Sequence, residues 1–206
     1  MQSVFQRRGF LPESDPLTEF PAGSPFAVLD DIGRDLPNLL QDPGFRRYAR
    51  ELKIPFWPAY RDQPEDLAEL RLYYLRLGFL TSGYVNQVGQ PAATVLPRNI
   101  ALPFYQACQL LQRPPILGYD GYALYNWVRL EPEGPIALDN IDTIQNFVRA
   151  YDEHWFILVH VEIEAIGAVA LRAIAEACTA HEREDAEALD RSLGEMERAL
   201  RRQVEV

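Results

Sequence analysis

Apolar side chains recur at helical spacing through most of this chain. From Pro64 to about Tyr84, Leu67, Leu70, Tyr74, Leu77 and then Thr81 or Tyr84 fall on one stripe, which predicts a strong helix. Upstream, "DPGFRRYARELKI" (Asp42 to Ile54) predicts a helix opened by an aspartate cap with Pro43 at its first position, and "FWPAYRDQP" breaks it. Residues 1–40 are rich in proline and poor in clean periods, and read as loops and short turns. "NQVGQPAATVLPRN" (86–99) is a turn-rich linker and the best boundary between two parts. Further helices are predicted over roughly Ala101–Leu111 (with Pro103 in its first turn and Pro114-Pro115 as its stop), Asp139–Ala150, Glu153–Ala180 and Glu182–Val206. Strands and helices do not alternate, and no repeat is present, so the fold class is mainly α.

One stretch fits two patterns. In "HWFILVHVEIEAIGA" (His154 to Ala168), Val159, Val161 and Ile163 alternate with His160, Glu162 and Glu164, as in a strand. The continuation "EAIGAVALRAIAEAC" is alanine-rich, keeps helical spacing and carries no turn signal. A strand would have to become a helix without a break, so one long buried helix is predicted. On it Phe156, Ile157, His160, Ile163, Glu164 and Gly167 share a face.

Composition narrows the partners. The formal net charge of −10 opposes binding to nucleic-acid phosphates or to anionic membranes. No apolar run approaches the ~20 residues of a membrane span, and the polar, proline-broken start "MQSVFQRRGFLPESDP" is not a signal peptide. Cys108 and Cys178 form no C-x-x-C pair and fit reduced thiols of a cytoplasmic protein, with a single disulfide as the alternative.

The chemistry then turns on three histidines, His154, His160 and His181. Glu-x-x-His, the mark of di-iron bundles, is absent, because Tyr151, Ile157 and Cys178 stand three residues before them. H-E-x-x-H, G-x-S-x-G and the P-loop are absent too. His160 and Glu164 could give two metal ligands at i,i+4, but nothing supplies a third. On residues alone His160 is a hydrogen-bonded core histidine, a metal ligand or a group facing a cofactor, and the first is the commonest.

Five blocks, "RRGFLPESDPL", "LRLYYLRLGFLTSGYV", "VLPRNIALPFYQ", "RPPILGYDGYALYNW" and "WFILVHVEIEAIGA", resemble the indoleamine 2,3-dioxygenase family in order and spacing. "VLPRNIALP" and "PPILGY" are specific when found together. The resemblance implies a haem b enzyme that inserts both atoms of O2 into the indole ring of L-tryptophan or a related indole, giving N-formylkynurenine. It also implies a small N-terminal domain (1–95), followed over 96–206 by the first helices of a large all-helical haem domain.

Residue by residue, Tyr119 falls where the family has a distal-pocket tyrosine, and Tyr122 at the next pocket-lining position. Phe156 matches the aromatic that packs against the substrate indole, and Ile157 matches a second, often aromatic, position. His160 falls where many members have serine, and a histidine there resembles tryptophan 2,3-dioxygenase, a related haem family. The resemblance thus makes Tyr119, Tyr122, Phe156 and Ile157 substrate contacts, His160 the catalytic group, and Tyr119, Phe156, His160 and Ile163 haem contacts. His154 and His181 read as ordinary surface or capping residues.

The resemblance covers the first half of the family pattern. It implies that the axial histidine lies beyond Val206, on a missing segment or a separate C-terminal half, and that the 206-residue chain alone is inactive. Alternatives in other classes are a haem- or oxygen-binding relative without turnover, a natural-product haem enzyme acting on a tryptophan derivative, and a cofactor-free helical interaction module.

Overall fold

The computed structural model describes residues 7–58 and 66–206, and the elements are, in order, α1 (Ala27–Leu39), α2 (Phe45–Glu51), α3 (Asp66–Val85), α4 (Arg98–Leu110), a π-helical turn (Asp120–Leu124), β1 (Val128–Arg129), β2 (Ile141–Asp142), α5 (Tyr151–Glu182) and α6 (Ala186–Glu205). The fold is mainly α, and its only strands among the described residues pair as a two-stranded ladder, β1–β2. The chain divides into two compact units, one of residues 16–128 and 143–157, the other of residues 1–15, 129–142 and 158–206. The linker at 86–99 lies inside the first.

In the first unit α3 is the central element. Every residue from Leu72 to Thr81 is buried, so the helix is covered on all sides. It packs against α1, α4 and the π-helical turn. Beside it Phe26 stacks on Trp57 with centroids 5.2 Å apart, and Tyr73 closes the group 4.9 Å from Phe26. Side chains complete the helix ends. Arg46 donates to the carbonyls of Tyr84 (3.0 Å) and Val85 (3.1 Å), two of the acceptors that the end of α3 leaves open. Asn99 does the same for Ala49 and Leu52 near the end of α2. Asn126 is fully buried, and its side-chain amide exchanges two hydrogen bonds with the backbone of Gln145, donating to the carbonyl and accepting from the N–H, both at 2.8 Å.

In the second unit Asp15 joins Arg8 and Arg129, each at 2.7 Å, and so ties the early segment to β1. Gly9 has φ +60°, and a Cβ there would meet the backbone of Ala168 at 3.2 Å. Asn140 organises the turn between the strands, accepting from the Glu131 N–H and donating to the carbonyls of Glu131 and Pro135. Ile166 and Ala170 of α5 pack on Ala199 of α6. Asp185 caps α6 by accepting from the Ala188 N–H at 3.0 Å.

Several sequence expectations are corrected. Residues 1–40 are not all loop: α1 occupies Ala27–Leu39 and buries Leu29, Ile32 and Leu36. The helix predicted over Asp42–Ile54 is only Phe45–Glu51, with Gly44 at its N-cap, because the Asp42 carboxylate accepts from the Gly44 N–H and holds a turn there. Pro103 lies in the second turn of α4, which starts at Arg98. Asp139–Ala150 is not a helix: it holds β2 and an irregular run, where Asn126 takes the Gln145 backbone groups that a helix would use. The ambiguity at His154–Ala168 resolves as helix, within the 32 residues of α5. The part of the helix predicted from Pro64 that precedes Asp66 lies outside the described residues.

Candidate functional site

The segment from Gly118 to Leu124 is shaped by one carboxylate. Asp120 is buried and accepts from Arg113 (2.5 Å), from the Tyr74 hydroxyl (3.2 Å) and from the Gly121 N–H (2.9 Å). Tyr74 in turn accepts from the Gly118 N–H at 3.1 Å. Glycine is needed at 121, where a Cβ would lie 2.7 Å from the Tyr74 ring. These contacts stabilise a π-helical turn, a geometry in which the chain is locally widened. Its effect is to set Tyr119 at the entry of the turn, 45% exposed, and Tyr122 inside it, half-buried.

Tyr122 sits in a row of rings. Its centroid is 5.6 Å from Phe79, 6.1 Å from Phe147 and 6.0 Å from Phe156. Phe156 lies in the second turn of α5 and is 50% exposed, so it forms the open end of the row. The Tyr122 hydroxyl donates to Glu153 at 3.3 Å. Burial first, then the Glu153 charge and this hydrogen bond, push the phenol up to about 12.

The remaining expected residues and the other two histidines lie on α5. Ile157, expected as a substrate contact, is fully buried and offers no surface to a ligand. His160 and Ile163 are half-buried and lie on the part of α5 that belongs to the second unit. His154 shares a hydrogen bond of 3.3 Å with Thr143, and His181 is exposed at the last turn of α5. The structure therefore brings Tyr122 and Phe156 together directly. Sequence reasoning missed Glu153 and Asp120, and the available signal was an acid embedded in an aromatic stretch, as in "GYDGY".

No group of three or more metal-ligating side chains occurs among the described residues. A haem iron needs none, since its ring supplies four nitrogens and the protein adds axial ligands. The half-exposed Phe156 ring beside Tyr122 fits the apolar flank of such a flat group.

The family model for indoleamine 2,3-dioxygenase matches residues 2–206. The chain belongs to the indoleamine 2,3-dioxygenase family. It is 32% identical to indoleamine 2,3-dioxygenase 1 of Mus musculus over 193 residues, which is 93% of this chain and 46% of the mouse protein. It is 32% identical to indoleamine 2,3-dioxygenase 2 of Homo sapiens over 194 residues, 92% of this chain and 45% of that protein. Against indoleamine 2,3-dioxygenase of Saccharomyces cerevisiae identity is 33% over 178 residues, 82% of this chain and 38% of the yeast protein. The chain thus spans somewhat under half the length of these curated relatives. No helix among the described residues is long and apolar enough to cross a membrane.

Proposed function

We propose that this chain is the distal-side part of a haem-dependent dioxygenase that opens the indole ring of L-tryptophan or a related indole to an N-formylkynurenine. Haem b, when bound, supplies the iron that takes up O2. This chain would meet it with Tyr119, Phe156, His160 and Ile163. The axial ligand is assigned to a polypeptide corresponding to the rest of the relatives' length.

The chain's own residues have separate tasks. Phe156 offers a flat apolar surface for the indole, with Tyr122 at its edge. Ile157 backs that turn of α5 from the core and touches no ligand. His160 would donate a hydrogen bond to oxygen from one of its ring nitrogens. The observation that carries the reading is the half-exposed Phe156 at the open end of the aromatic row that starts from the buried Phe79, in a chain of this family.

The test is reconstitution. The chain, hemin, a polypeptide carrying the family's C-terminal half, a reductant and L-tryptophan should together give an N-formylkynurenine product. A complex with a normal Soret band and no product from any indole would replace this reading with that of an oxygen-binding relative. A second polypeptide is also favoured by α6, where Leu193, Leu200 and Val204 form an exposed apolar row at helical spacing.

A further inference from the structure

Three donors converge on the carboxylate of Glu153, a residue only 9% exposed. The Phe147 and Val148 N–H groups donate to Oε1 and Oε2 at 2.9 and 2.8 Å, and the Tyr122 hydroxyl donates to Oε1. An ionised carboxylate has no proton to give, so the proton in the last bond is that of Tyr122. Tyrosine has a single hydroxyl proton. With that proton held by Glu153, the phenol oxygen retains lone pairs and no free donor.

Three aromatic rings lie around Tyr122. Phe79 and Phe147 pack together at 4.5 Å, and Tyr122 lies against both. Its third neighbour is Phe156, the half-exposed ring, with centroids 6.0 Å apart. Glu153 and Phe156 are three residues apart on α5, so one turn of helix carries both the group that orients Tyr122 and the surface beside it. The phenol also stays protonated through the physiological range, since it is pushed up to about 12 by burial and the Glu153 charge.

We propose that Glu153 is a positioning residue that holds the Tyr122 hydroxyl with its oxygen as an acceptor beside Phe156, and so selects for indoles that present a ring N–H or ring O–H donor. This rests on the indole-binding reading above and adds the determinant of donor selectivity. Glu153 acts through Tyr122 and does not touch the ligand.

The experiment measures equilibrium binding of L-tryptophan and of 1-methyl-L-tryptophan, which lacks the ring N–H, to the reconstituted protein without turnover. The unaltered protein should prefer L-tryptophan. Tyr122→Phe keeps the ring and its aromatic contacts, and should reduce that preference roughly tenfold, the range of one lost hydrogen bond. Glu153→Gln should reduce it by a similar factor, because its amide NH2 faces backbone donors and its single oxygen cannot serve all three. The double variant should lose no more than either single one, as expected of groups acting as a unit. If Glu153 only caps α5, its variant will lower the melting temperature and leave the preference ratio unchanged, which overturns the proposal. An unchanged ratio in Tyr122→Phe, or additive losses, would overturn it as well. Failure of the unaltered protein to bind either probe would overturn the indole reading itself, and this inference with it.

Discussion

Arg76 and Asp30 form an ion pair closed off from water, with Nη2 and Nε both 3.1 Å from Oδ1 and side-chain exposures of 5% and 8%. The remaining groups are also matched: Arg76 donates to the Gln145 side chain (2.8 Å) and the Thr18 carbonyl (2.7 Å), and Asp30 accepts from the Phe20 N–H (2.8 Å). Burial lowers the Arg76 guanidinium's affinity for its proton, but the Asp30 charge and hydrogen bond oppose that shift. A pair of this kind is costly to break from one side. Asp30→Ala should destabilise the protein by about 3–5 kcal/mol, the range for leaving a buried charge without its partner, measured as a shift in the urea midpoint.

The same network explains Gly33. A Cβ at this position would lie 2.5 Å from Arg76 Nη1 and 2.7 Å from Gln145 Oε1. Gly33→Ala therefore should not give the usual gain of a helical alanine. It should destabilise by about 1–3 kcal/mol, as over-packing does, and a melting temperature at or above that of the unaltered protein would contradict this account.

Asp15 gives a pH dependence. Burial acts to raise its carboxyl, but hydrogen bonds and charge from Arg129 and Arg8 outweigh that and hold it below the ordinary carboxylate value. A depressed folded-state value means that this stabilisation is present above about 4, the unfolded value, and is lost as pH falls through the lower folded one. Asp15→Asn should flatten the acid limb of the stability curve and leave its slope near neutrality unchanged.

The two cysteines should differ in reactivity. Cys108 is buried, and burial followed by the Asp120 charge pushes its thiol up to about 12. Cys178 is exposed. Native protein should react with a maleimide at Cys178 and spare Cys108, with both labelled after denaturation. Rapid labelling of Cys108 in the native state would mean that the α4 region opens readily.

For the site, Phe156→Ala should weaken substrate binding by about 1–3 kcal/mol and leave the fold nearly unchanged, since the ring is half in solvent. His160→Ala in the reconstituted enzyme should lower turnover ~100-fold while the Soret band persists, as removal of a positioned polar group does. Unchanged kinetics would return His160 to the role of a core histidine.

What the sequence made legible follows from what periodicity can report. α3, α5 and α6 have long uninterrupted runs, and their existence was readable. α1 was not, because its apolar positions Leu29, Ile32 and Leu36 are interleaved with Asp30, Gly33 and Pro37. The role of Asp30 depends on Arg76, which is distant in the chain. The segment around Asp139–Ala150 misled for the related reason that Asn126 and Glu153 satisfy its backbone from outside. At the site, the five sequence blocks pointed to Tyr122 and Phe156, whose rings are neighbours. They could not reveal Glu153, because its meaning lies in three donors from two separate segments, Tyr122 and the adjacent Phe147 and Val148.

The exchange between Asn126 and Gln145 also bears on chemical ageing. Asparagine amides hydrolyse to carboxylates over a protein's lifetime, and at an exposed residue such as Asn38 the change would leave the fold intact. At Asn126 it would replace a donor by an acceptor directly opposite the Gln145 carbonyl, at a fully buried position. Long-stored folded protein should therefore carry deamidation at Asn38 and not at Asn126, readable by peptide mass spectrometry. A chain damaged at Asn126 would leave the folded pool, so this one buried amide removes its own aged copies from the working population.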